Sequence, residues 1–250
     1  MNFKAFIDKI VFYISVPKCA SCGERLSISE DTLCKSCFME YNDAKYTDCS
    51  ICAKLTSECS CSTKHLRNHY IKKIIKVYRY KPGTEPPTNQ LLYRLKRDNR
   101  SDVRHFLANE LIKSIENKGL NLDNFIITNI PRRRASIKRY GFDHTCELAK
   151  LLSMHFNIKY IPLLVSRSKK DQKQNKSREE RMLNANYAYK RNVPDIKGKS
   201  VLLLDDIITT GASMGSAAML IHGLGAKEII ALSIAIAYKD DYTPFAFTYN

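Results

Sequence analysis

The sequence predicts an α/β chain: a parallel sheet flanked by helices, preceded by a small cysteine-rich metal-binding module. Three observations carry that prediction. From about residue 71 onward, apolar runs of strand length alternate with stretches of helical periodicity, the pattern of a sheet joined by helical crossovers. The run Val201, Leu202, Leu203, Leu204 has no polar interruption, as expected of a strand buried on both faces. Eight of the nine cysteines fall between Cys19 and Cys61. The expected division is residues 1–70 for an N-terminal helix and cysteine-rich module, and 71–250 for the α/β domain.

At the start, Phe3, Phe6, Ile7, Ile10, Val11 and Ile14 have helical spacing. Lys4, Asp8 and Lys9 interrupt the run, which makes it a poor signal peptide. The expectation is a short amphipathic helix packing on the rest of the chain, with membrane-surface contact as the alternative. No apolar run approaches the ~18 residues of a membrane span. Without an export signal the expected compartment is the reducing cytoplasm, where cysteines serve as thiolates or metal ligands.

Cys19-x-x-Cys22 and Cys34-x-x-Cys37 read as two zinc knuckles, each supplying two adjacent corners of one tetrahedral Zn site. Gly23, directly after the first knuckle, supplies the tight turn. Cys49-x-x-Cys52 and Cys59-x-Cys61 form a second set whose last pair is one residue short of knuckle spacing. His65 or His69 in place of Cys61, a relic without metal, and interleaved pairing of the four pairs all stay open. The zinc number is therefore one or two. A module of roughly forty residues cannot build a core, so metal would supply much of its folding free energy.

Lys73 to Tyr80 reads as a strand or ribbon leading out of the module. Pro82, Gly83, Pro86 and Pro87 break the chain there. Leu91, Leu92 and Leu95, then Val103, Leu107, Leu111, Ile112 and Ile115, fit two amphipathic helices, with Lys96 near the end of the first. Phe125 to Ile130 reads as the first strand of the parallel sheet. A helix from Asp143 to His155 follows, capped by Asp143 and holding Cys146 as a core residue. Strands at Tyr160 to Val165, 201–204 and Glu228 to Ile236, with a helix from Met214 to Leu220, complete the alternation. Ligands of such a sheet bind at the carboxyl ends of its strands.

The chemistry concentrates at one such end. After Leu204 come Asp205 and Asp206, then a loop with Thr209, Thr210, Gly211 and Ser213 before a helix N-terminus. That loop offers backbone N–H groups, hydroxyls and a positive helix end to one anion, normally a phosphate. The carboxylates beside it can accept hydrogen bonds from sugar hydroxyls or hold a divalent metal. The run lacks the Gly-Lys-Ser/Thr ending of a Walker loop. The stretch Pro131 to Asp143 places five cations (Arg132, Arg133, Arg134, Lys138, Arg139) after a strand end, as a pyrophosphate would need. A second stretch, Ser166 to Arg181, holds seven basic and three acidic residues and reads as a mobile cationic lid. The formal charge of +16, from 41 basic and 25 acidic residues, favours a polyanionic partner without choosing among nucleic acid, membrane surface and phosphorylated ligand.

The run from Asp205 to Ser213 resembles the phosphoribosyl pyrophosphate (PRPP) signature of type I phosphoribosyltransferases. A cysteine-knuckle module ahead of such a domain resembles the ComF family of competence proteins, over roughly residues 15–238. The resemblance rests on Cys19 and Cys22, Lys96, the stretch from Pro131 ending Arg139-x-Gly141-Phe142, Arg167, Arg181, Asn184 and the 205–213 signature. Asp143 and His144 stand where the family more often has Asn-Gln or Asn-His, and the family's flap glutamine is Gln172 or Gln174. The resemblance implies a type I phosphoribosyltransferase-like fold with a zinc ribbon, binding of PRPP with Mg²⁺, and handling of incoming single-stranded DNA in natural transformation. Other DNA-uptake proteins are implied partners. Asp205 and Asp206 would hold the ribose 2′- and 3′-hydroxyls, directly or through Mg²⁺. Ile207, Ile208, Thr209, Thr210, Gly211, Ala212 and Ser213 would cradle the 5′-phosphate. Arg132, Arg133, Lys138 and Arg139, with Lys96, would face the pyrophosphate, and Arg167, Lys169, Lys170 and Arg181 would form the flap. An active phosphoribosyltransferase of nucleotide salvage is the alternative reading.

Overall fold

The computed structural model describes residues 17–49, 52–62, 66, 70–81, 83–167 and 187–237. The expected helix over Phe3–Val16 lies outside them, as do His65, His69, Lys169, Lys170, Gln172, Gln174, Arg181 and Asn184.

In chain order the elements are α1 (Lys35–Lys45), β1 (Ile71–Tyr80), α2 (Pro87–Arg97), α3 (Ser101–Glu116), β2 (Phe125–Asn129), α4 (Arg134–Tyr140), α5 (His144–Phe156), β3 (Lys159–Tyr160), β4 (Leu164–Ser166), β5 (Tyr187–Tyr189), β6 (Ser200–Ile208), α6 (Ala212–Gly223) and β7 (Glu228–Ala237). Five strands form one sheet in the order β1-β7-β6-β2-β3, every neighbouring pair parallel. β4 and β5 form a separate antiparallel pair.

Alternation along β6 explains its apolar run. Leu202 and Leu204 point to the face covered by α2, α3 and α5, and Val201 and Leu203 to the face covered by α6. All four are 0% exposed, as a doubly covered parallel strand requires. The first half of the cysteine-rich module, Cys19 to Tyr41, packs on the first of these faces. Tyr41 of α1 meets Tyr78 and Phe106 edge-on at 5.9 and 5.1 Å, and its hydroxyl donates to the buried Glu110 of α3 at 2.8 Å. Lys45 and Lys113 neutralise that carboxylate.

Four local expectations need correction. Phe125–Ile130 is not the first strand of the parallel sheet: the Lys73–Tyr80 segment, a strand as expected, belongs to β1, an edge strand of that sheet in register with β7. The Tyr160–Val165 strand is two strands in two sheets, because Ile161-Pro162-Leu163 leaves the main sheet and Pro162 has no N–H for a ladder. The arginine-rich stretch is not all loop: α4 occupies it and ends at Gly141, whose φ of 83° is readily adopted only by glycine. Cys146 is half-buried and accepts a hydrogen bond from the Tyr160 hydroxyl at 3.1 Å, so it is not a core residue.

Asp143 caps α5 as expected, and does more. One carboxylate oxygen accepts from the backbone N–H groups of Thr145 and Cys146, and the other from that of Arg132. The cap therefore joins the exit of β2 to the start of α5. Replacing Asp143 by Ala is expected to cost about 1–2 kcal/mol, lowering the melting temperature by roughly 2–4 °C per kcal/mol for a chain of this size. An unchanged calorimetric melting temperature would remove this role.

Candidate functional site

β6 does not stop at Leu204. It runs through the acidic pair to Ile208, paired with β7 at Asp205–Ser233, Ile207–Ala235 and Ile208–Ile236. The two carboxylates are thus strand residues, and alternation sends them to opposite faces. Asp206 follows Leu202 and Leu204 toward α2 and α5. There its carboxylate meets the Lys96 ammonium at 3.1 Å and the imidazole Nε2 of His144. His144 is 5% exposed, and its Nδ1 has no partner among the described residues.

Burial opposes charge on both aspartates. At Asp206 the hydrogen bond from His144 and the charges of Lys96 and His144 outweigh it and pull the carboxyl down to about 2. At Asp205 burial and the neighbouring Asp206 charge win, and its carboxyl is pushed well above the usual range. The backbone N–H of Asp206 donates to Asp205 at 2.9 Å. Two adjacent acids are thereby driven in opposite directions by their surroundings.

Beyond the pair, Asp205 and the run Ile207 to Met214 line a cavity of about 240 Å³. Gly211 has φ 83° and opens α6, with its carbonyl accepting from the N–H of Gly215 at 2.8 Å. A side chain at that φ is disfavoured, which is why glycine stands there. The first N–H groups of α6 and the Thr210 and Ser213 hydroxyls border this concavity, the geometry of an anion cradle. A second cavity of about 920 Å³ shares Asp205 and Ser213 with the first. It is also walled by Lys96, Arg133, Ser136, His144, Tyr187 and Asp206.

The structure brings Lys96, Arg132, Arg133 and the 205–213 run to one cleft at the strand ends. The Arg132 guanidinium lies over the rings of Tyr140 and Phe142 and donates to the carbonyls of Lys96 at 2.6 Å and Phe142 at 3.1 Å. It fastens the end of α2 to the turn before α5. Lys138 and Arg139 are exposed on α4 and line neither cavity. Arg167 is half-buried beyond β4 and lines neither. His144 and Tyr187 are wall residues that the sequence reading did not assign. His144 had one local signal, its place directly after the helix-capping aspartate, and Tyr187 had none.

The cysteines gather as Cys19, Cys22, Cys34, Cys37 and as Cys49, Cys52, Cys59, Cys61. Within each group the sulfurs all lie within 4.8 Å of one another, so the pairs do not interleave. The first pair of each cluster shares a turn: Gly23 N–H donates to the Cys19 carbonyl at 3.1 Å, and Ala53 N–H to the Cys49 carbonyl at 2.9 Å. Both turn residues have positive φ, 79° at Gly23 and 53° at Ala53. Burial pushes the Cys37 and Cys61 thiols up to about 12. Thiols gathered this closely ionise together only around a cation, and the donor sets fit a tetrahedral soft metal.

Residues 136–244 match the family model of the phosphoribosyl transferase domain. The DNA utilization protein YhgH of Escherichia coli (strain K12) is 26% identical over 149 residues, 58% of this chain and 65% of that protein. The chain thus spans somewhat less than two thirds of the curated relatives of that name. A ribose-phosphate pyrophosphokinase of Thermococcus kodakarensis is 60% identical over 35 residues, 14% of this chain and 12% of that protein. A Saccharomyces cerevisiae adenine phosphoribosyltransferase structure aligns over 56% of this chain and 72% of its own, at 15% identity and a TM-score of 0.37.

The opposed aspartates generate a stability prediction. A carboxyl whose folded pKa is raised costs stability as pH rises from the unfolded pKa toward the folded one. Asp205→Asn, which keeps an acceptor for the Asp206 N–H, should therefore stabilise the ligand-free protein at pH 7 by about 1–2 kcal/mol. The gain should vanish near pH 3.5, below the ~3.9 of an unperturbed Asp. Thermal melts of both proteins at the two pH values measure it, and a variant less stable than wild type at pH 7 would contradict the assignment.

Proposed function

We propose that this homologue of the DNA utilization proteins, with its phosphoribosyl transferase domain, binds PRPP with Mg²⁺ at the end of β6. We propose further that it handles incoming single-stranded DNA as a cytoplasmic competence protein. The observation that carries the PRPP reading is the juxtaposition within residues 205–213. An anion cradle at a helix N-terminus adjoins two carboxylates, and both open on a larger cavity that holds Lys96 and Arg133.

In this reading the 207–213 run takes the 5′-phosphate. Asp205 serves the ribose hydroxyls more directly than Asp206, whose carboxylate is already engaged by Lys96 and His144. Arg133 and Lys96 face the pyrophosphate, and Arg132 positions Lys96 by holding its carbonyl. Lys138, Arg139 and the flap residues Arg167, Lys169, Lys170 and Arg181 supply cations that approach when ligand is bound. Asp205, beside Asp206, would hold the Mg²⁺, which would offset the charge of the bound sugar phosphate. The two cysteine clusters hold Zn²⁺ in this reading. The charge of +16 suits a polyanion track, and no motif in the chain reads bases, so DNA binding is sequence-tolerant.

The roughly 920 Å³ beside Lys96 also favours a second reading, an active phosphoribosyltransferase with room for an acceptor. Lys96 and Arg133 would then stabilise the charge that develops on departing pyrophosphate. Pyrophosphate release across a panel of nucleobases and amines separates this reading from binding alone.

Calorimetric titration of Mg²⁺–PRPP into the full chain, with and without single-stranded DNA, tests the proposal. Asp205→Ala, which leaves Asp206 with its partners Lys96 and His144, should abolish PRPP binding while leaving fold and metal content intact. Wild-type affinity in that variant refutes the site. For DNA, log affinity should fall linearly with log salt, with a slope of about −0.7 per phosphate contact. A slope of zero removes the DNA-handling half, and a change in PRPP affinity on adding DNA measures the coupling between the two ligands.

A further inference from the structure

The middle of β1 holds an unusual side chain. Lys76 is 0% exposed and in register with Ser233 of β7. Its ammonium donates to the backbone carbonyls of Cys59 and Cys61, each at 2.9 Å. Among the described residues no carboxylate forms an ion pair with it, although Lys45, Lys72, Lys96, Lys113 and Lys150 each have one. An ammonium moved from water into a protein interior costs several kcal/mol, and two neutral carbonyls do not cancel that charge. A buried lysine is kept where a negative group offsets it.

Cys59 and Cys61 belong to the second cluster, together with Cys49 and Cys52. Four thiolates around a divalent ion leave a net charge of −2. The same edge receives a second cation, Lys118, whose ammonium lies 3.5 Å from the Glu58 carbonyl. The first cluster is approached differently. Arg94 and Arg100 donate to the carbonyls of Ala20 and Lys18 at 3.3 and 2.7 Å, and both are already paired, with Asp98 and Asp102. One ammonium bridging the carbonyls of Cys59 and Cys61 holds this closely spaced pair together, and both sulfurs lie in the cluster.

We propose that the second cluster binds a thiophilic divalent metal as a dianionic four-thiolate complex, with Lys76 as its buried counter-charge and positioning residue. Metal binding and docking of the cluster on β1 are then one event. The inference rests on the cysteine clusters being metal sites.

The test uses the full chain loaded with Zn²⁺, or with Co²⁺ as a spectroscopic probe, and a chromophoric chelator. Alkylation mapping identifies which cysteines each released metal had protected. Wild type should hold two metals, with the thiolate-to-cobalt charge-transfer bands of four-thiolate sites. Lys76→Met, which removes the charge and keeps the length, should weaken the second-cluster metal by about 10–100-fold. The first-cluster metal should be unmoved, giving a two-step competition curve. Unchanged affinity at both clusters overturns the proposal. Where Lys76→Met does not fold, wild type stripped of its second-cluster metal should lose hydrogen-exchange protection at the Ile75 and Val77 amides. Retained protection there overturns it equally. A wild type whose only metal protects Cys19, Cys22, Cys34 and Cys37 refutes the metal reading of the second cluster, and the inference with it.

Discussion

A parallel strand covered on both faces can carry polar side chains only where the covering ends or a partner satisfies them, and β6 organises the molecule around that constraint. Val201 to Leu204 meet helices on either side and admit no polar atom. Asp205 and Asp206 follow within the same strand, and one of them still points into the helical layer. A buried carboxylate there needs cations. Asp206 takes Lys96 from the end of α2 and His144 from the start of α5, so one side chain brings three elements to a common point. Arg132 and Asp143 reinforce the junction through backbone contacts. The cleft at the strand ends is what remains between these elements once that buried carboxylate is satisfied.

The parts of this arrangement that were legible in the sequence are those where a single physical rule dominates. The unbroken apolar run, the glycine before α6 and the cap at Asp143 each answer to one constraint, and each stands where it was expected. The failures come where two rules compete. Lys72, Lys73 and Lys76 break the apolar pattern of β1, which hid its place in the parallel sheet, because periodicity cannot register a lysine buried by a neighbouring module. Pro162 splits a run that hydropathy alone reads as one strand. In the arginine-rich stretch, charge density pointed to a ligand, yet Arg132 spends its guanidinium on carbonyls and aromatic rings. Composition counts cations without showing which are committed to the fold. His144 and Tyr187 reach the cleft wall through tertiary packing, and no local pattern marks such residues.

The cysteine module illustrates the same competition between local and distant causes. Its knuckle turns are local: each closes with an N–H to carbonyl bond and a residue at positive φ, and the second accepts Ala53 where the first has glycine. Its attachment is not local. Tyr41 sits under the sheet's helical layer and Lys76 rises from β1 to the second cluster, so the module and the sheet share buried polar contacts as well as apolar area. Spacing identified the cysteine pairs, while the contacts that seat them on the sheet come from residues far along the chain.

The two aspartates also show why a binding site of this kind is expensive to maintain in the absence of its ligand. Asp206 is settled: its partners Lys96 and His144 are supplied by the protein, and the ligand-free fold already satisfies it. Asp205 is not, since burial and a like-charged neighbour both disfavour its ionised form. In the proposed function, a ligand that brought hydroxyl donors, or a cation, to Asp205 would relieve that disfavour. The asymmetry then gives the two residues different work. Asp206 is a structural anchor that meets Lys96 and His144, and Asp205 would be the group that takes a partner from outside the chain. Each carboxylate takes its role from what the opposite faces of one strand place beside it.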